Sequence, residues 1–168
     1  MALFPSGKGG GKGIAYGYKG KGVTIHLVVD AKGMPLSFSV TPSNGDERVE
    51  AKANIRRISI PSGKAGRPRT NPGIMSGDKG YDDKKLRTWL RRKGIKPEIP
   101  RRKWKSKAPR GRPLTKAAPR YQVERSHAWL QRKFRRIAVR WERTPQFFES
   151  FVALGIAMIW LGRILESL

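Results

Sequence analysis

The fold is decided by residues 23–41, VTIHLVVDAKGMPLSFSVT. Two alternating segments rich in β-branched residues, 23–30 and 35–41, flank the four residues 31–34. Alternation of this kind predicts strands, and so short a connection joins them as an antiparallel hairpin. We therefore expect a β-hairpin to form the centre of the fold.

The sequence after this hairpin alternates between helical and extended patterns. It predicts a helix over 46–57, a strand over 74–78, a helix over 82–93, a strand over 95–99, a basic loop over 101–120 and two helices that begin near Arg120 and at Pro145. Strands and helices in this order predict a mixed α/β layer fold.

Helical spacing also predicts which faces are buried. The positions expected to face inward are Val49, Ala53 and Ile58 in the first helix and Leu86, Trp89 and Leu90 in the second. Asn44 or Asp46 is expected to cap the first helix, and Asp82 the second. One apolar stripe runs over 123–141, and the last helix is apolar almost all round, so we expect it to be buried in the core or against a partner.

Composition narrows the function. The chain has 168 residues, 37 Lys and Arg against 12 Asp and Glu, a formal charge of +25, two histidines and no cysteine. Disulfides, thiolate metal sites and cysteine nucleophiles are excluded. A chain with this charge is expected to bind a polyanion. Nucleic acid is the first expectation because Lys and Arg neutralise phosphates. No membrane span is expected, since the uncharged apolar stretch 151–162 is shorter than the roughly 20 residues required.

Residues 1–22 form a Gly/Lys-rich segment that includes GKGGGKG at 7–13. Because it offers little apolar surface to bury, it is expected to be a linker, followed by one domain over 23–168. It does not match a phosphate-binding P-loop, since no Ser or Thr follows Lys12.

Two carboxylates stand at positions suited to chemistry. Asp78 ends a predicted strand at a Gly-rich turn, and Glu124 lies in the first turn of a helix among cations. Together they could hold Mg²⁺, which takes one or two carboxylates with water and phosphate oxygens. The alternatives are that Asp78 caps a turn and that Glu124 pairs with Arg120 one helical turn back. His26 and His127 are expected to be structural, with support of a metal ligand or contact with DNA as the alternative for His127.

Four separated blocks resemble the DDE transposases of the fourth and fifth insertion-sequence families. They are TIHLVVDAKGMPLSFSVTPSNGDE (24–47), SGDKGYDDKKLRTWLRRKGIKPEIPRR (76–102), RYQVERSHAWLQRKFRRIAVRWER (120–143) and the final apolar helix. The resemblance implies an RNase H-like fold and a DNA transposase that cuts and joins strands with metal ions, Mg²⁺ or Mn²⁺, held by Asp, Asp and Glu.

Carried over by position, the resemblance makes Asp78 the second catalytic Asp and Glu124 the catalytic Glu, both metal ligands. Arg120 matches the Arg expected four residues before Glu124. Arg132 and Lys133 follow the expected basic position, and Arg135 is predicted to share a helical face with Glu124.

The family's first catalytic Asp has no counterpart, because residues 1–22 contain no acid and Asp30 falls in the hairpin turn. The chain is therefore expected to be the C-terminal part of a transposase that lacks the first strand. A non-catalytic nucleic-acid-binding remnant is the alternative, and a basic ribosome-associated protein is a third interpretation, against which the family blocks argue.

DNA is the expected partner, together with an upstream transposase portion and a second copy of the chain. The further DNA-binding residues expected in the basic loop are Arg101, Arg102, Lys103, Lys105, Arg110 and Arg112. Pro109–Pro113 resembles a minor-groove AT-hook, with a solvated loop as the alternative. Such a protein would be cytoplasmic and associated with the nucleoid.

Overall fold

A long hairpin organises the computed structural model, which describes residues 2–61, 63, 65–102 and 120–168, with the backbone alone at 2 and 120. The strands are β1 (Ala2–Leu3), β2 (Ser6–Gly7), β3 (Ala15–Gly17), β4 (Gly20–Val29), β5 (Pro35–Pro42), β6 (Ile74–Ser76), β7 (Lys96–Glu98) and β8 (Val139–Arg140). The helices are α1 (Glu47–Arg57), α2 (Lys84–Arg92), α3 (Arg120–Lys133), α4 (Arg135–Ala138) and α5 (Pro145–Leu165), with a 3₁₀ turn at Lys79–Tyr81. The predicted mixed α/β class is confirmed.

Strands β4 and β5 form the predicted antiparallel hairpin, paired from Val23 opposite Pro42 to Val29 opposite Pro35. The Asp30 carboxylate closes the turn by accepting hydrogen bonds from the backbone amides of Lys32 and Met34, each at 2.8 Å. The interpretation of Asp30 as a turn residue is therefore confirmed.

The prediction of a linker over the Gly/Lys-rich segment is wrong in its local structure. Strands β1, β2 and β3 all pair antiparallel with β4, as at Leu3 opposite Ile25 and Tyr16 opposite Lys21. Glycine-rich strands are held by backbone hydrogen bonds, which leave no apolar pattern for the sequence to reveal.

One core lies between the hairpin and the C-terminal helices. It joins Val23, Ile25 and Leu27 of β4 to Leu130 of α3, Ile137 of α4, and Phe148 and Val152 of α5. Helix α5 is long and apolar enough to cross a membrane by length and composition alone, but its inner face packs here. The helix carries no charged residue from 150 to 162, and its large exposed side chains include Phe147, Leu154, Met158 and Leu161.

A second core joins α1, α2 and the parallel pair β6 and β7. Leu86 and Leu90 are fully buried, as predicted. The N-cap is Asp83 rather than Asp82, since its carboxylate accepts the Leu86 amide at 2.8 Å. Asp82 instead accepts a hydrogen bond from the Arg87 guanidinium at 2.8 Å.

Helix α1 is capped by Asp46, as expected, but turns a different face inward. Val49 is 58% exposed, whereas Asn54 is buried. The reason lies in the hairpin, where the Ser37 hydroxyl donates to the Asn54 carbonyl and the Asn54 amide donates to Ser39, each at 2.9 Å. This polar strand face requires a polar helix face against it.

The helix predicted to begin near Arg120 and to carry the apolar stripe over 123–141 breaks at Phe134, whose backbone is extended (φ −126°, ψ 94°). Residues 139–140 then pair with β2 as a parallel strand, and Trp141 is 54% exposed. Arg135 therefore belongs to α4, and the prediction that it shares a helical face with Glu124 is wrong. Pairing with β2, which the local pattern does not reveal, diverts the chain out of the helix.

Candidate active site

A cavity of about 550 Å³ lies between the end of β4 and strand β6. Helix α1 contributes Asn54 and Ile55 to its wall, and α3 contributes Gln122 and Val123. Its lining is mostly apolar but includes the acidic residues Asp30, Asp78 and Glu98. Four segments that are distant in sequence therefore meet around one cavity.

Asp78 follows β6 after a single glycine and begins the 3₁₀ turn. Its Oδ1 accepts the Gly80 amide at 2.6 Å, and a Cβ at position 80 would lie only 2.8 Å from that oxygen. The turn-capping alternative is thus correct as a local description, and it leaves Oδ2 for a ligand. Burial raises the pKa of the neighbouring Tyr81, as do the nearby carboxylates of Glu47 and Asp78.

The first turns of α3 are anchored on the hairpin turn. The Ser126 hydroxyl donates to the Gly33 carbonyl, and the Arg125 guanidinium donates to the Lys32 carbonyl. Arg125 also donates to Gln122 Oε1 at 2.9 Å. These contacts fix Gln122 at the cavity, and Glu124, two positions later, is exposed.

A sequence model of the transposase DDE domain matches residues 3–161. The chain belongs to the DDE transposase family. It is 34% identical over 134 residues to the inferred transposase of insertion sequence element IS402 from Burkholderia cepacia, a match covering 80% of this chain and 60% of that protein. It is 31% identical over 147 residues to the inferred transposase of IS6501 from Brucella ovis, covering 82% and 96% of the two chains. No solved structure matches.

The family match begins at residue 3 and so includes nearly all of the Gly/Lys-rich segment, whose strands pair with β4. The chain spans 60% of the length of the IS402 relative. The resemblance to insertion-sequence transposases that the sequence shows is therefore confirmed.

The structure places the expected DNA-binding residues of this transposase in different settings. Arg101, Arg132, Lys133 and Arg135 are exposed. Arg102 is tied to the turn below Asp78, since its amide donates to Asp82 at 2.7 Å and its guanidinium to the Lys79 carbonyl at 3.1 Å. Outside the described residues lie Lys103, Lys105, Arg110 and Arg112, the AT-hook-like segment, and the side chain of Arg120.

The histidines of the transposase are both buried. His26 Nε2 lies 2.8 Å from Thr41 Oγ1, and burial lowers the pKa of His26 to about 4. A neutral, buried strand histidine is structural, as predicted. Among the described residues no three Asp, Glu or His side chains gather as a metal site.

Sequence reasoning missed Arg125 and Ser126, which hold α3 in place, and the buried Arg140. Each acts through backbone carbonyls that are far away along the chain. A partner of that kind leaves no spacing pattern in the sequence.

Proposed function

We propose that this chain is the C-terminal part of a transposase catalytic domain that cuts and joins DNA strands, with Asp78 and Glu124 at the reacting centre. Its membership of the DDE transposase family supports the activity. The observation that carries the residue assignment is the cavity shared by Asp78 and the turn of α3 next to Glu124.

We further propose that the fold is RNase H-like and lacks most of its first strand. Strand β1 pairs with β4 at Ile25 and His26, and in the described part of the chain no strand continues that edge along Leu27–Val29. Strand β6 pairs only with β7 there. The cavity lies between these two open edges, where a strand could run antiparallel to β4 and parallel to β6. The resemblance assigns the first catalytic Asp to such a strand.

The donor chemistry fits Mg²⁺, or Mn²⁺ in its place. Asp78 and Glu124 would hold it, because hard divalent cations bind carboxylate oxygens and keep several waters. When bound, such ions activate the attacking oxygen and stabilise the leaving oxygen of a phosphodiester. Two carboxylates fall short of the three that the resemblance requires, so the chain alone is proposed to bind DNA without cleaving it.

DNA is the proposed substrate, held by the phosphate contacts of the basic residues. Arg101, Arg132, Lys133 and Arg135 are exposed cations suited to this role. The upstream transposase portion and a second copy of the chain are the proposed protein partners, and the proposed location is the cytoplasm, on DNA. No membrane role is proposed.

The test is 3′-end cleavage of transposon-end DNA with Mg²⁺ or Mn²⁺. The chain alone should bind DNA without cutting it. Fusing a five-residue apolar strand before Met1, with an Asp placed in turn at each position, should restore cleavage for one register. Asp78→Asn or Glu124→Gln should then abolish cleavage without weakening DNA binding, whereas Glu166→Gln on the exposed end of the chain should change neither.

Two outcomes would count against the proposal. Cleavage by the chain alone that survives both substitutions would show that other residues carry the chemistry. Failure of every fusion register, with DNA binding intact, would favour the non-catalytic DNA-binding remnant.

A further inference from the structure

The glycine-rich loop 8–13 packs on residues 140–143, more than a hundred positions later. The Gly9 amide donates to the Arg140 carbonyl at 3.3 Å, and the Lys12 amide donates to the Arg143 carbonyl at 3.1 Å. These bonds extend the parallel pairing of β2 with β8. The loop is therefore a fixed part of the domain surface.

The buried Arg140 side chain holds the loop 8–13 and residues 140–143 together by hydrogen bonds. This side chain is fully buried, and the guanidinium donates to the carbonyls of Lys12 at 2.6 Å, Glu142 at 2.9 Å and Arg143 at 3.3 Å. Hydrogen bonds from a charged donor are stronger than neutral ones. The loop backbone is thus held in one conformation.

The glycines of the loop are required by this close approach. A Cβ at Gly9 would lie 1.9 Å from the Trp141 carbonyl oxygen, and one at Gly11 would lie 2.3 Å from that of Arg143. Gly11 also has a φ of +92°, which side chains rarely adopt. The glycines therefore give this loop its shape.

The packing brings cations together around an exposed indole. Lys8, Lys12, Trp141 and Arg143 are all exposed, and Lys8 Nζ lies 6.0 Å from the centre of the Trp141 ring. The acid between them, Glu142, pairs with Arg136 at 3.2 Å and is mostly buried. The surface that remains is cationic and aromatic.

We propose that Lys8, Lys12, Trp141 and Arg143 form a binding site for a DNA strand. This rests on the proposed function of the chain. Lys and Arg contact successive phosphates, and Trp141 stacks on an unpaired base. Because Arg140 fixes the backbone before binding, little ordering is required when DNA binds.

The test compares two triple variants of equal charge. In the site variant Lys8, Lys12 and Arg143 become Ala; in the control Lys84, Lys85 and Arg91, which are exposed on α2, become Ala. Affinity for a 20-nucleotide single strand is measured by fluorescence anisotropy over a range of salt. The site variant should lose at least about 10-fold in affinity, and its salt slope should fall by about 2, since each phosphate contact contributes about 0.7. The control should change less.

Two single variants separate shape and stacking from charge. Trp141→Ala should weaken binding of a single strand by roughly 5-fold or more and leave binding of a blunt duplex nearly unchanged. Gly9→Ala keeps every charge but forces the loop off residue 141, so it should also weaken binding, with circular dichroism confirming the fold.

Equal losses in the site and control variants, or a Trp141→Ala loss of the same size for both DNAs, would overturn the site. DNA binding by the parent chain with no loss in any site variant would defeat this inference alone. Failure of the parent chain to bind DNA would defeat the proposed function as well. Binding to phosphatidylserine vesicles that depends on the same residues would indicate a membrane surface in place of DNA.

Discussion

The Asp82 carboxylate connects three segments near the candidate site through hydrogen bonds. Removing its charge tests whether these hydrogen bonds stabilise the turn that carries Asp78. Its carboxylate accepts the Arg87 guanidinium at 2.8 Å and the Arg102 amide at 2.7 Å. The Arg87 and Asp82 side chains are only 9% and 16% exposed. Arg87 also donates to the Ile99 carbonyl at 2.6 Å.

The change is Asp82→Asn, which keeps the shape of the side chain and removes the anion. Breaking a buried ion pair by deleting one partner costs about 3–5 kcal/mol. Here Arg87 keeps the Ile99 carbonyl, so we expect a loss of about 2 kcal/mol in the free energy of unfolding. For a domain of this size, that lowers Tm by roughly 4–8 °C.

The pH dependence of the stability difference between the variant and the parent gives a second test. Burial alone would raise the pKa of Asp82, but the hydrogen bonds from the Arg102 amide and Arg87 outweigh it and hold the pKa below its ordinary value. A carboxyl whose pKa is depressed by folding stabilises the protein at neutral pH, and this stability is lost as the pH falls through the folded pKa. Urea unfolding near pH 7 should therefore separate the variant from the parent, and the difference should shrink as the pH falls below the ordinary pKa of an aspartate.

A matched control is Glu166→Gln, which removes an exposed carboxylate paired with Arg163. Such surface pairs contribute about 0–1 kcal/mol. An Asp82→Asn midpoint equal to that of the parent at neutral pH would refute the reasoning. So would a difference that persists undiminished in acid.

Three further outcomes are expected. DNA binding should weaken steeply between about 50 and 200 mM salt, and an affinity that stays flat would contradict phosphate contacts. Leu86→Ala should cost about 2–5 kcal/mol in urea unfolding because Leu86 is fully buried, whereas Val49→Ala, at a 58% exposed position, should stay within about 0.5 kcal/mol. Since burial lowers the pKa of His26 to about 4, the unfolded state binds the extra proton first as the pH falls. His26→Gln should therefore flatten the loss of stability between about pH 6.5 and pH 4, and an unchanged pH profile would show that His26 does not cause it.

The parts of the fold that sequence predicts are those set by local chemistry. Alternation over 23–41 predicts the hairpin, and the Asp30 turn and the Asp46 cap satisfy backbone amides within four residues. Helix α2 follows because its buried residues repeat at helical spacing. In each case the residues close by in the sequence determine which backbone conformation has the lowest energy.

The parts that sequence does not reveal depend on distant partners. The break at Phe134 follows from the pairing of 139–140 with β2, and the inner face of α1 follows from Ser37 and Ser39. At the candidate site, sequence indicates Asp78 by its place after a strand. The cavity beside it depends on the packing of four segments, so its shape had to come from the structure.

Because the outer face of α5 is apolar, salt should weaken the binding of this protein to DNA and strengthen its binding to itself. A formal charge of +25 makes copies repel one another, while the exposed Leu154, Met158 and Leu161 attract. Raising the ionic strength shortens the Debye length from about 10 Å at 0.1 M to about 3 Å at 1 M, which removes the repulsion and leaves the apolar attraction. Salt that releases the chain from DNA should therefore promote its self-association, so high-salt purification would yield larger particles in light scattering.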